Sequence, residues 1–395
     1  MKRIYLDYAA TTPIRKEVRE TMKIFEEKIF GNPSSIHKEG RTAKTALEKA
    51  RNLIAEILEV KSSEIIFTNG GTESINLALF GISRANKKFF KKPRLITSKI
   101  EHPAVLNSMK QLEKEGFEII YINVNKDGLI NINELKNAIN ENTILVSIMY
   151  ANNEIGTIQP IEKISKIIKD YQNKKRKNFP LFHTDACQAA GYLDIRPKKL
   201  GVDLLTLNAS KIYGPKASGL LYIKENTLIE PLIFGGGQEN NLRSGTENVS
   251  GWIGLAKALE LAQKEKDKES KRLINIRDYA IKNILKIEKT FLNGHPKIRL
   301  PNNINIIFLD IEGEALVLKL DKFGISASTG SACHSKTLEP SHVLTAIGLK
   351  REAIHGSLRL TLGKETTKKD IDYLLKVLPK IIKELRALSP ISLKK

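Results

Sequence analysis

Lys211 and Asp185 carry the strongest chemical signal in this chain. Lys211 stands in Leu207-Asn208-Ala209-Ser210-Lys211-Ile212-Tyr213-Gly214-Pro215, 26 residues after the Asp185 that closes the strand-like His183-Thr184-Asp185. A lysine held between a strand end and a Gly-Pro turn can form a Schiff base with an aldehyde. A carboxylate on a neighbouring strand end can pair with a pyridinium nitrogen. The two together are the smallest set that points to pyridoxal phosphate (PLP). A single lysine of this kind reads equally as a surface residue in a turn, so the weight of the reading rests on what accompanies it.

Several companions are present. Gly70-Gly71-Thr72-Glu73-Ser74 lies between an apolar strand and a helical pattern, and N–H groups at such a junction can cradle a phosphate, with Thr72 adding a hydroxyl. The same residues would also serve as a turn with an N-cap. His102, directly before Pro103, can stack on a ring and shuttle protons, or can make a structural hydrogen bond at the junction. Asn152-Asn153-Glu154 follows the apolar run from Thr143 to Tyr150. Carboxamides there can contact a phenolic oxygen, or can simply form a turn. Gln188, three residues after Asp185, could reach the same ring. Arg359 lies in the strand-like Ser357-Leu358-Arg359-Leu360-Thr361 and needs a carboxylate, from a substrate or from the protein.

The two cysteines differ in setting. Cys187, between Asp185 and Gln188, reads as a packed small residue. Cys333, in Ser326-Ala327-Ser328-Thr329-Gly330-Ser331-Ala332-Cys333-His334-Ser335, reads as a thiol on an exposed loop and a candidate nucleophile. His334 and His342 follow it, but their spacing fits no tetrahedral metal site, and no metal is expected.

The elements that must position these residues alternate between strand and helix, which predicts a mostly parallel sheet covered on both faces. The periodicity predicts a helix over 34–58 and strands at 64–68, 94–98, 118–123, 143–150, 181–185, 203–207 and 219–223. Pro103 should open a helix, and another should fill 161–175. A highly charged helical pattern over 248–287 suits a connector. Beyond it the pattern becomes α+β, with strands at 304–311 and 357–362 and helices at 314–320 and 367–385. The expected organisation is a large α/β domain over 15–255 and a smaller α+β domain over 256–395, joined by residues 1–14.

Bulk properties bound the function. The chain has 395 residues, 41% of them hydrophobic, enough for two sizeable cores. No apolar run approaches the roughly 20 residues of a membrane span. The first residues include Asp7 and no long apolar stretch, so no signal peptide is expected. Two cysteines argue against a disulfide framework and for reducing cytoplasm. The 65 basic against 44 acidic residues give a formal charge of +21. These are chiefly lysines dispersed on helix faces, which reads as a solvated surface and not as a nucleic-acid footprint. Such a surface would favour, weakly, a partner that carries RNA.

Taken together, the residues resemble a cysteine desulfurase of the NifS/IscS type, a fold-type I PLP enzyme of the class-V aminotransferase family. The landmarks are Tyr5-Leu6-Asp7-Tyr8-Ala9-Ala10-Thr11-Thr12-Pro13, Phe30-Gly31-Asn32-Pro33-Ser34-Ser35, Gly71-Thr72-Glu73-Ser74, Glu101-His102 and Asn152-Asn153-Glu154-Ile155-Gly156. Asp185 with Gln188, Lys211, Arg243-Ser244-Gly245-Thr246 and Ser331-Ala332-Cys333 complete the set. The resemblance implies that Lys211 carries the cofactor and moves the substrate α-proton, Asp185 pairs with the ring nitrogen, and Asn153 and Gln188 contact the ring oxygen. It implies that His102 stacks on the ring, Gly71 and Thr72 bind the phosphate, and Thr246 reaches that phosphate from the second subunit of a homodimer. Asn32 and Arg359 would hold the carboxylate of L-cysteine, and Cys333 would take its sulfur as a persulfide.

Two departures stand out. Many relatives have histidine directly before the lysine and serine three before it, both on the phosphate; here those positions are Ser210 and Asn208, expected to keep phosphate contact in altered form. Relatives that dock an iron–sulfur scaffold often carry a longer tail, whereas this chain stops at Lys395. The expected sulfur acceptor is an iron–sulfur scaffold or a tRNA-thiolation enzyme. The alternative reading is a selenocysteine lyase or another class-V reaction on the same frame.

Overall fold

The computed structural model describes residues 3–330 and 340–389. Its strands are β1 (Ile4–Tyr5), β2 (Ile65–Thr68), β3 (Arg94–Ser98), β4 (Glu118–Ile122), β5 (Thr143–Ser147), β6 (Leu181–Asp185), β7 (Leu204–Asn208) and β8 (Gly219–Ile223), followed by β9 (Thr290–Leu292), β10 (Asn303–Phe308), β11 (Ile325–Ser326) and β12 (Ser357–Thr361). Seven of them form one sheet in the order β2-β8-β7-β6-β5-β3-β4. Every neighbouring pair is parallel except those made by β8, which runs against both β2 and β7.

The sheet's sequence explains its place. All five residues of Thr143-Ile144-Leu145-Val146-Ser147 are buried, as a parallel strand covered on both faces requires. Helices Lys38–Leu58, Ile161–Lys175 and the first half of Val249–Ile284 close one face through Leu47, Ile54, Ile164, Ile168 and Trp252. The indole of Trp252 stacks on Phe67 with centroids 5.0 Å apart and donates its N–H to the carbonyl of Thr68 at 3.1 Å. Ile75, Leu79, Val105 and Met109 cover the other face.

A smaller α+β unit follows. β10 lies between β9 and β12 in an antiparallel sheet, packed on helices Gly313–Lys322 and Lys368–Leu388 through Leu316, Leu320, Leu374 and Leu378. The long helix Val249–Ile284 runs without a break from one core into the other, with Leu255 and Leu259 in the first and Leu273, Ile276 and Ala280 in the second. The chain's start joins this unit: β1 pairs with β11, and Leu6 is fully buried in the second core.

Differences from the expected boundaries are local. The first long helix begins at Lys38 and not Ser34 because the Asn32 side chain accepts from Ser34 N, and His37 supplies the cap by accepting from Gly40 N. β5 ends at Ser147, not Tyr150, because the N–H of Met149 turns to the Glu101 carboxylate. Ile148 N and Tyr150 N still reach the carbonyls of His183 and Asp185 on β6. The two-residue strands β1 and β11 and the short β9 were absent from the expected pattern, being too short to show a periodicity.

Candidate active site

The chain leaves β3 for β4 in one direction and reaches β6 and β7 from β5 in the other. The carboxyl ends of β3, β5, β6 and β7 therefore face a crevice at the reversal of strand order, where open α/β sheets bind their ligands. A cavity of about 370 Å³ lies there, lined among others by Gly71, Thr72, His102, Asn153, Asp185, Gln188, Asn208, Lys211 and Arg359. A larger surface groove of about 1020 Å³, near Val124, Ile158 and Ile298, gathers none of these residues.

Each side chain is placed by a strand end. Asp185 is the last residue of β6; its Oδ1 accepts from Cys187 N at 2.9 Å. Lys211 ends the turn after β7, and its Nζ donates to the carbonyls of Ala9 at 2.9 Å and Ala10 at 2.6 Å. Gln188 donates to the same Ala9 carbonyl. His102 caps helix Pro103–Lys114, accepting from Ala104 N at 3.1 Å through Nδ1. The proton of a neutral His102 ring therefore sits on Nε2. The two asparagines after β5 divide their work. Asn152 is fully buried and accepts from the N–H groups of Glu154 and Ile155, forming the turn, while Asn153 lines the cavity.

The phosphate-type corner is built from main chain. Gly70 has φ +130°, a conformation open only to glycine, and the backbones of Gly70 and Gly219 approach so closely that a Cβ on Gly219 would lie 2.6 Å from the Gly70 Cα. Gly71 and Thr72 then open helix Gly71–Asn76 with N–H groups at its first turn. Asn208 stands beside them. Its Oδ1 accepts from both the N–H and the hydroxyl of Ser210, each at 3.2 Å, which leaves its amide Nδ2 as a donor on the side of Gly71. Ser210 itself does not line the cavity.

Arg359 is buried on β12 and crosses into the cavity wall. Its Nη2 donates to Asp7 Oδ1 at 2.8 Å and its Nη1 to the carbonyls of Asn153 at 3.2 Å and Gly330 at 3.4 Å. Its Nε is buried and has no hydrogen-bond partner among the described residues, a donor that a ligand carboxylate would satisfy. The carboxylate that the sequence led us to expect for Arg359 is thus partly supplied by the protein.

Two further buried groups lie behind the cavity. Glu101 accepts from Ser98 Oγ at 2.6 Å and from Met149 N through both oxygens. Burial, with the charge of Asp185 adding to it, pushes its carboxyl up to about 8. His183, between Ser147 and Thr206, is held neutral, since burial lowers it to about 4. The Cys187 thiol is pushed well up by burial, which suits a packed side chain and not a nucleophile.

Not every expected residue meets the cavity. Asn32 is exposed, with its side chain engaged by Ser34 N. Thr246 is also exposed and does not line this chain's cavity. Its loop is held by the buried pair Arg51–Glu239 at 2.6 Å and by Arg243–Glu73 at 3.0 Å. Cys333 lies outside the described residues. Sequence reading missed Asp7, the carbonyls of Ala9 and Ala10, Met149 and the placement of Glu154. Only Asp7 and Glu154, charged residues inside the landmark motifs, left a usable signal. Among the described residues no group of three His, Cys, Asp or Glu is arranged to hold a metal.

The cavity fits PLP by the chemistry of its donors: a lysine amine, a carboxylate near it, main-chain N–H groups at a glycine turn, and an orphan guanidinium N–H. Comparison with known proteins agrees. The aminotransferase class-V family model matches residues 4–374. The chain is 54% identical over 392 residues, 99% of its own length and 97% of the relative's, to cysteine desulfurase IscS of Dictyoglomus turgidum. Among solved structures it is similar to a NifS-like protein, with TM-score 0.90, 38% identity and coverage of 97% of this chain and 100% of the other. It is also similar to SspA in complex with cysteine, with TM-score 0.77, 36% identity and coverage of 91% and 98%. By this match over nearly its whole length, the chain belongs to the aminotransferase class-V family.

Proposed function

We propose that this protein is a PLP-dependent cysteine desulfurase that converts L-cysteine to L-alanine and holds the released sulfur as a persulfide on Cys333. The observation that carries the reading is the convergence of Lys211, Asp185, His102 and Arg359 on one cavity at the carboxyl edge of the sheet. PLP would be held by Lys211 at the aldehyde, Asp185 at the ring nitrogen and Asn153 and Gln188 at the ring oxygen. Gly71, Thr72 and Asn208 take the phosphate, Ser210 orients Asn208, and Thr246 of a second copy completes the cup. Once bound, PLP supplies an electron sink that makes the substrate α-hydrogen acidic.

The protein's own groups do the rest. Arg359 holds the substrate carboxylate. Lys211 removes the α-proton and returns one to the carbon framework, and His102 Nε2 handles protons on the face of the ring. The Cys333 thiolate attacks the substrate sulfur: an S–S bond forms, the C–S bond breaks, and its electron pair stays with the three-carbon fragment. That fragment takes up a proton and leaves as alanine. In sum, cysteine and one protein thiol become alanine and one protein persulfide, with no outside oxidant.

The working form in this reading is a cytoplasmic homodimer that hands sulfur to an iron–sulfur scaffold or a tRNA-thiolation enzyme. The exposure of Thr246 outside its own cavity supports the dimer. Among the described residues no helix is long and apolar enough to cross a membrane. We place the domains at 15–255 and at 256–395 with 1–14; the pairing of β1 with β11 supports the assignment of the first residues, while Leu259 of the shared helix still packs in the first core. The test is Cys333→Ser. It should keep bound PLP, seen by its absorbance, and lose sulfur transfer to any acceptor; full sulfur release by this variant would remove Cys333 from the mechanism.

A further inference from the structure

Glu154 is a buried carboxylate that the reaction as written does not use. Its main chain and its side chain reach in two directions. The carbonyl of Glu154 accepts from the side-chain amides of Asn303 and Asn305, both at 3.1 Å, and the Asn305 amide is steadied in turn by Asn293 at 2.7 Å. The adjoining carbonyls of Asn153 and Ile155 accept from Arg359 at 3.2 Å and Arg299 at 3.1 Å. Four side chains of the small unit thus grip three consecutive residues of the turn that presents Asn153 to the cavity.

The carboxylate faces the other way. Its Oε2 accepts from Ser341 Oγ at 2.5 Å, and both residues are 5% exposed. Ser341 Oγ also accepts from Leu344 N and caps helix His342–Ala346, while His342 bonds the carbonyl of Glu101 at 2.9 Å. The same Oε2 would lie 3.4 Å from a Cβ built on Gly330. The Gly330 carbonyl is held by Arg359. Gly330 and Ser341 are the residues on either side of positions 331–340, and Cys333 is 333 − 330 = 3 residues from one and 341 − 333 = 8 from the other.

We propose that Glu154 is a positioning residue for sulfur transfer, a single buried carboxylate that anchors the Ser341 stem beside the Gly330 stem at the edge of the cofactor cavity. The inference rests on the desulfurase reading and adds to it the group that sets the effective concentration of the Cys333 thiol at the substrate sulfur. A tethered nucleophile reacts at a rate set by where its tether is fixed, and small displacements of the anchor cost large factors. Removing the Glu154–Ser341 bond should therefore slow the sulfur step and spare the proton steps, whose groups are placed by strand ends.

The experiment compares holoenzymes of the wild type, Glu154→Gln, Ser341→Ala, Ser341→Thr and the Glu154→Gln/Ser341→Ala pair. Each is mixed with L-cysteine in single turnover without reductant. One readout is the rate of the cofactor absorbance change; the other is the rate of sulfur gain on the Cys333 peptide, by mass. We expect both single variants to keep the absorbance change within about twofold and to lose roughly ten- to a hundredfold in sulfur gain, the range for a charged hydrogen bond. The pair should be no slower than either single variant, and Ser341→Thr should restore the rate. Equal slowing of both readouts, additive losses in the pair, or an unchanged rate in Ser341→Ala would overturn the proposal. Wild type that changes absorbance but gains no sulfur on Cys333 would overturn the nucleophile assignment, and this inference with it.

Discussion

The two walls of the cavity are built by different means. On the large-sheet wall, Asp185, Lys211, His102 and Thr72 each sit within a few residues of a strand end, so the sheet that aligns the strands also aligns the chemistry. On the opposite wall, Arg359 gains its setting from Asp7, Asn153 and Gly330, which lie 352, 206 and 29 residues away in sequence. In the proposed reading, side chains of the first wall act on the reaction, while those of the second hold substrate and also join the two units, so loss of the latter should be felt in both affinity and stability.

Substitutions that separate the two walls test this contrast. Lys211→Ala should have the largest effect, lowering turnover by on the order of 10³ or more, because a group acting on the reacting atoms cannot be replaced. Far-UV circular dichroism should be unchanged; a collapsed fold would break the contrast at once. Asp185→Asn should lower kcat by about 10² to 10³, the loss of one preorganised charge, again with the fold kept, as read by steady-state kinetics and thermal melting together.

On the second wall Arg359→Lys should behave differently. Lysine keeps the charge but loses the planar fork that serves Asp7, Asn153 and Gly330 together. KM for L-cysteine should rise roughly tenfold or more, and the thermal midpoint should fall as well, because Asp7 loses a buried partner. A change in kcat alone would contradict the division of labour.

The smallest effect concerns stability alone. The Glu101 carboxyl is raised from 4.5 to about 8 by burial, with Asp185 adding to the shift. Between those values the folded protein holds a proton that the unfolded chain has released. The contribution is therefore fully present below pH 4.5 and is lost as pH rises through about 8. Glu101→Gln should remove that part of the slope. The loss of denaturant midpoint between pH 5.5 and 7.5 should be smaller in the variant than in the wild type, and an identical slope would show that Glu101 is ionised in the fold.

What could be read from sequence follows the same contrast. The strand ends of the first wall were legible because a short, nearly continuous apolar run ends just before each chemical residue, as in Leu204-Leu205-Thr206-Leu207-Asn208 before Lys211. The fold class followed from the alternation of such runs with helices. The second wall was legible only as a misfit, an arginine inside an apolar strand, and Asp7, though it stands inside a landmark motif, carried no sign that Arg359 is its partner. The grip of Asn303 and Asn305 on Glu154 was hidden for the same reason, since a pairing across about 150 residues leaves no periodicity behind. Ser210 shows a third limit. The family resemblance implied a phosphate ligand at this position, and the turn points the Ser210 hydroxyl at Asn208.

The most direct measurement is a single turnover of the purified holoenzyme with L-cysteine and no reductant, scoring alanine and the mass of the peptide that contains Cys333. Alanine in step with one added sulfur on that peptide is the expected result. Alanine with an unmodified Cys333 peptide would contradict the assigned route of the sulfur. Bound PLP with neither product would contradict L-cysteine as the substrate.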